Sequence, residues 1–138
     1  MKIKSFLKKF LKILATDRVF YDGECYSLIV PSVSGQYGIM AEHCNCVVAI
    51  TSGTARIKTE KEEIVAFFSN GIAKAENGSV VVMVESAERA EDIDEAHALR
   101  SAQEAREDLQ RNSSRRNARS AEIKMARALN RLKTKKYQ

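Results

Sequence analysis

From Val84 to the end, this chain of 138 residues has neither glycine nor proline. That absence removes the residues that make tight turns, so a sheet built from short hairpins cannot continue there. Cysteine is also scarce. Three cysteines, an odd number, exclude a fully paired disulfide framework and point to a reducing, cytosolic compartment. No run is long and apolar enough to span a membrane. No glycine-rich phosphate loop occurs. Histidine occurs only as His43 and His97. His43-Cys44-Asn45-Cys46 therefore has no second Cys/His pair to complete a zinc site, and no metal is expected. The same residues lack a third orienting group for Cys–His nucleophilic catalysis, so no catalytic residue is expected.

What is present divides at Val84–His97, VESAERAEDIDEAH. Before it, short β-branched runs alternate with turns at Asp22-Gly23, Ser34-Gly35, Ser52-Gly53, Asn70-Gly71 and Asn77-Gly78. The runs Tyr26–Val30, Gln36–Met40, Val47–Ile50, Thr54–Thr59, Ile64–Phe68, Ile72–Ala75 and Val80–Val84 read as strands. Many short strands with regular turns and no helical period between them predict an antiparallel sandwich or barrel, not a parallel βαβ sheet. After the boundary, Ala, Leu, Met, Glu, Arg and Lys dominate. Asp92 reads as a helix N-cap, with Glu95 completing a capping box and Asp94 adding first-turn charge, so a helix is expected from about Ile93.

Ala98, Ala102, Ala105 and Leu109 recur at helical spacing, and so do Ala118, Ala121, Met125, Ala128 and Leu132. Arg111-Asn112-Ser113-Ser114 between them reads as a loop and a new cap. The expected fold is α+β with two domains, an N-terminal antiparallel β-sandwich followed by a C-terminal antiparallel α-helical hairpin. The expected division is a basic leader at 1–9, the sandwich at 10–90 and the hairpin at 91–138. An alanine seam buries little area per turn, so the hairpin is expected to be held weakly and to open.

The N-terminal MKIKSFLKKFLKILA is too broken by Lys8, Lys9 and Lys12 for a signal peptide. Two readings remain. One is a basic amphipathic helix on a membrane, with Phe6, Leu7, Phe10, Leu11 and Leu14 on one face. The other, favoured by pattern, is a strand with Leu11, Ile13 and Ala15 alternating inward.

The net charge of +5 is modest, but its distribution is uneven. Residues 85–108 hold nine acids against three arginines, a net of −6, and residues 109–138 hold ten bases against Glu122, a net of +9. The basic segment is either a solvated face or a surface for an acidic partner. Nucleic-acid tracking would favour aromatic stacking residues, and the second helix has none before Tyr137.

Four stretches together resemble the epsilon subunit family of bacterial F-type ATP synthase. They are Asp17-Arg18-Val19-Phe20-Tyr21-Asp22-Gly23-Glu24, Gly35-x-x-Gly38-Ile39 with His43, Ser86-Ala87-Glu88-Arg89-Ala90-Glu91-Asp92-Ile93-Asp94, and Arg127-Ala128-Leu129-Asn130-Arg131-Leu132. The resemblance covers about Leu11 to Lys136. It implies a β-sandwich plus helical hairpin acting as a non-catalytic rotor subunit of the central stalk. The sandwich would dock on the gamma subunit and the proteolipid ring through the loop Gly35–His43, with Gly35, Gln36, Gly38, Ile39, Glu42 and His43 at the interface. This chain carries Gln36, Ala41 and Asn45 where the family commonly has an acid and two prolines.

The hairpin would lie folded or extend toward the catalytic alpha and beta subunits and inhibit ATP hydrolysis, with Arg115, Arg116, Arg119 and Arg127 as contacts. Some members bind ATP through an I-D-x-x-R-A motif and further arginines. Ile93, Asp94, Arg127 and Arg131 match that site, but His97 replaces the motif arginine and Glu104 another. ATP binding is therefore expected to be weak or absent, with no cofactor required. The resemblance implies no nucleic-acid partner, membrane contact only through the complex, and a peripheral place on the cytoplasmic face of the bacterial plasma membrane. The competing reading is a basic-hairpin adaptor for nucleic acid or a membrane surface.

Overall fold

Asn77 and Gly78 have φ values of 50° and 79°. Both lie in the left-handed region that a type I′ hairpin turn requires, and Asn-Gly tolerates it at low cost. They join two of ten strands in a computed structural model that describes residues 9–40, 45–111 and 115–137. The strands are β1 (Lys9–Leu14), β2 (Val19–Cys25), β3 (Ser27–Ser32), β4 (Gly35–Met40), β5 (Cys46–Ile50), β6 (Gly53–Lys58), β7 (Glu63–Phe68), β8 (Gly71–Glu76), β9 (Ser79–Val84) and β10 (Ala87–Arg89). A 3-10 turn at Ala90–Asp92 leads to helices α1 (Glu95–Arg111) and α2 (Arg115–Lys136).

One layer runs β10-β7-β6-β3-β4 and the other β5-β8-β9-β1-β2, joined at the Ser32–Ile50 pair. Period-2 alternation sends one face of each strand inward. Leu11, Ile13, Ala73, Ala75, Val80 and Val82 from one layer meet Leu28, Val30, Ile39, Ala55, Ile57, Ile64, Ala66 and Phe68 from the other. Each fully buried Val, Leu, Ile or Phe contributes roughly 1.5–3 kcal/mol of transfer free energy. Phe20 closes one end, its ring 6.2 Å from that of Phe68 in an edge-on contact.

The sandwich and hairpin follow the expected class, with four local differences. Asp22-Gly23 is not a turn but lies inside β2, pairing with Lys12 and Leu11. Two β1 positions alternate inward as expected, Leu11 and Ile13, but β1 pairs with β9 in parallel, so the sheet is not wholly antiparallel. The short β10, with an alanine and two charged residues, has no strand signature and is held by its pairing with Ala66–Phe68. Asp92 ends the 3-10 turn, and the helix cap is Asp94, whose carboxylate accepts the His97 amide at 3.0 Å. Ile93 is extended and buried, and this shifts the cap by two residues.

The helices meet along the expected seam, with Ala98, Ala102, Ala105, Ala121 and Ala128 buried. Lys124 of α2 reaches Glu104 of α1 at 3.3 Å, the cross-helix attraction that the charge asymmetry predicts. Of the expected loop Arg111–Ser114, Arg111 is instead the last residue of α1, and 112–114 lie outside the described residues.

Candidate functional site

Two surfaces carry the residues singled out by sequence. The first is the β3–β4 turn. Gly35 has φ +114°, a conformation that suits glycine, and it starts a strand rather than a loop. Ser32 donates its hydroxyl to the Gly35 carbonyl at 2.5 Å and fixes the turn. Gly35, Gln36 and Gly38 are exposed. Ile39 is not: it is fully buried in the core opposite Leu28, so it anchors β4 and offers no surface. Glu42 and His43 lie outside the described residues.

The second surface is the junction where α2 lies on β6, β7 and the linker Glu85–Asp92. The strand faces turned away from the core receive the helix. Phe67 and Thr54 point outward from β7 and β6, and α2 buries both. Arg131 lays its guanidinium over the Phe67 ring at 4.5 Å and donates from Nε to Glu88 at 2.9 Å. Arg127 donates to Glu85 at 2.7 Å. Asn130 donates to the Ser52 carbonyl and hydroxyl at 3.2 and 3.0 Å. Arg56 stacks on Tyr137 at 4.9 Å.

This geometry changes the reading of the arginines. Arg127, expected as a contact for the catalytic subunits, is here committed to Glu85. Arg131 is committed to Glu88, so both cations of the degenerate nucleotide motif already hold carboxylates. Asp94 is spent on capping and Ile93 on packing. Arg119 is exposed. Arg115 and Arg116 stand in the first turn of α2, with side chains outside the described set.

The sequence reading missed Ser52, Thr54, Phe67, Asn130 and Thr134. A signal was present: Arg127, Asn130, Arg131 and Thr134 fall at i, i+3, i+4 and i+7, a single helix face. It went unread because the stripe is polar. The two surfaces also adjoin. Gly35 and Gln36 share a shallow cleft of about 230 Å³ with Asn130, Lys133 and Tyr137 of α2.

Comparison with known proteins decides what such a pairing of sandwich and hairpin belongs to. Residues 9–90 match the family described as ATP synthase, Delta/Epsilon chain, beta-sandwich domain, and residues 91–136 match its long alpha-helix domain. The chain belongs to the ATP synthase delta/epsilon chain family.

Relatives from that family match along most of their length. The ATP synthase epsilon chain of Ruminiclostridium cellulolyticum is 35% identical over 123 residues, covering 89% of this chain and 92% of that one. The epsilon chain of a Synechococcus species is 30% identical over 125 residues, covering 91% and 90%. Among solved structures, a chain of the Euglena gracilis mitochondrial ATP synthase (OSCP/F1/c-ring, rotational state 1) superposes with a TM-score of 0.79 at 18% identity. That match covers 89% of this chain and 78% of that chain. It shows a shared fold. Among the described residues, no helix is long and apolar enough to cross a membrane.

Proposed function

We propose that this epsilon-type chain is a non-catalytic subunit of the ATP synthase central stalk, peripheral to the membrane on its cytoplasmic face. The observation that carries the reading is the match of both halves to the delta/epsilon family, in one continuous run over residues 9–136. In this role the sandwich docks on the gamma subunit and the proteolipid ring. The exposed β4 residues Gly35, Gln36 and Gly38, together with Glu42 and His43, take part in that contact. The hairpin restrains ATP hydrolysis when it extends toward the catalytic alpha and beta subunits. Arg115, Arg116, Arg119 and Arg127 then meet acidic surfaces, where well-formed charged hydrogen bonds contribute roughly 1.5–3 kcal/mol each. A partner biases the folded–extended equilibrium only by its differential affinity for the extended form.

Nucleotide does not set this equilibrium. Arg127 and Arg131 are paired to Glu85 and Glu88, and His97 and Glu104 supply no strong cation. The pairing of α2 cations with acids of the same chain also disfavours the adaptor reading, in which arginines track phosphates.

The test has two arms. Copurification with the gamma subunit checks docking. Steady-state ATP hydrolysis by the reconstituted complex, with the full chain and a chain ending at Leu109 at equal occupancy, checks restraint. Faster hydrolysis with the shortened chain is expected. Failure to bind gamma overturns the docking role, and unchanged hydrolysis overturns the restraining role.

A further inference from the structure

The linker between β9 and α1 carries Glu85, Glu88 and Glu91 at a spacing of three. The helix α2 carries Arg127, Arg131 and Lys135 at a spacing of four. Four helical residues advance about 6 Å and place successive side chains on one face.

Three rungs join the two segments, two of them ion pairs and the third a lysine-to-carbonyl hydrogen bond. Arg127 Nη2 meets Glu85 Oε2 at 2.7 Å, Arg131 Nε meets Glu88 Oε1 at 2.9 Å, and Lys135 Nζ meets the Glu91 carbonyl at 3.1 Å. The middle rung is the most shielded, with side-chain exposures of 25% for Arg131 and 30% for Glu88. The buried Nε of Arg127 has no hydrogen-bond partner among the described residues, which leaves the first rung incompletely satisfied.

Apolar side chains back these rungs too: Phe67, Ala90 and Ile93 are buried outside the sandwich core. Phe67, the large ring at the junction, carries the Arg131 guanidinium over one of its faces. The buried alanines of α2, Ala121 and Ala128, belong to the inter-helix seam. Attachment of the hairpin therefore draws on ion pairs as well as apolar cover, and ionic contacts weaken as salt screens them.

We infer that Arg127 and Arg131, ion-paired to Glu85 and Glu88 and flanked by the Lys135 bond to the Glu91 carbonyl, form a charge clasp on the Glu85–Glu91 linker, and that this clasp, released by ionic strength, holds the hairpin down on the sandwich. The clasp is exclusive. A guanidinium gripping Glu85 or Glu88 is withheld from an outside acid, so opening delivers cations and linker acids to partners at the same moment. The inference goes beyond the stalk assignment and stands on the isolated chain.

The experiment is amide hydrogen exchange on the isolated full-length chain in sodium chloride, read by mass spectrometry over residues 121–136. Between about 0.01 M and 1 M salt the screening length falls from roughly 30 to 3 Å. Exchange over α2 is expected to rise about ten-fold or more across that range, while β8 and β9 stay protected. Arg131→Glu at low salt should reproduce the rise, and the swap Arg131→Glu with Glu88→Arg should reverse most of it. Salt-independent exchange of α2 in the unaltered chain overturns the clasp, whatever the variants do. A reversal whose effect the swap does not rescue, with β8 and β9 still protected, overturns it as well. Because no partner is present, either result leaves the docking and hydrolysis tests untouched.

Discussion

Thr54 of β6 and Thr134 of α2, 80 residues apart, share a buried hydrogen bond of 2.7 Å at the centre of the hairpin junction. Thr134 donates its own proton to the Asn130 carbonyl at 2.9 Å, so Thr54 must be the donor between the two hydroxyls.

That direction makes the two sites unequal. Thr134→Val leaves the buried Thr54 hydroxyl without an acceptor, at a cost of about 1–3 kcal/mol. Thr54→Val leaves Thr134 still donating to Asn130 and should cost less, about 0.5–1.5 kcal/mol. The double valine variant should fall below the sum of the two. Denaturant unfolding of the four proteins checks the cycle, and equal single effects would contradict the assigned direction.

Burial pushes the Cys25 thiol up to about 11, with Lys9 nearby acting weakly the other way. The thiolate is the nucleophile, so Cys25 should resist alkylation at pH 8 in the native chain and react once the chain is unfolded. The raised value also stabilises the fold below the unfolded thiol range. That contribution should be lost as pH rises from about 9 toward 11, because the unfolded chain gives up its proton first. Mass-resolved labelling with iodoacetamide checks the first expectation, and unfolding midpoints across that pH range check the second.

The sandwich should fold by itself. Its core draws on both layers and on none of the helical residues. A chain ending at Asp92 retains β10 and should unfold in one cooperative step, losing mainly the cover over Phe67 and Thr54. It should still bind gamma. A well-folded truncation that no longer binds would move the docking surface onto the hairpin.

ATP should bind weakly or not at all, because the matching arginines already hold Glu85 and Glu88. Titration calorimetry at millimolar ATP is the measurement, and a micromolar affinity would contradict the expectation. His97→Arg with Glu104→Arg should strengthen binding by supplying two cations.

Much of this architecture is written locally. Asn77-Gly78 announces its hairpin because only a few residue types tolerate its backbone. The alanine seam announces the helix pair because burial repeats every three or four residues. Asp22-Gly23 carries the same local signal as Asn77-Gly78 yet sits in a strand, because pairing with β1 overrides turn propensity. The parallel β1–β9 pair and the short β10 depend on distant partners and leave no local trace. The candidate surfaces were legible in part. The exposed turn residues follow from the family motif, but the inward direction of Ile39 follows only from strand alternation. The pairing of Arg127 and Arg131 leaves no local trace, because their carboxylate partners lie more than 40 positions away.

The β1–β9 pairing also bears on how the chain is made. Leu11 finds its neighbour Val80 only after most of the sandwich has left the ribosome. β1 can zip to β2 early, since Lys9–Leu14 and Val19–Cys25 are near in sequence. Its other edge then stays open while β3 to β8 emerge, roughly 2.5–10 s at ordinary translation rates. The last large strand is thus the closing piece of its layer. Any ribosomal pause before Val80 prolongs an exposed edge beside Leu11 and Ile13, the configuration most prone to pairing with a second nascent chain.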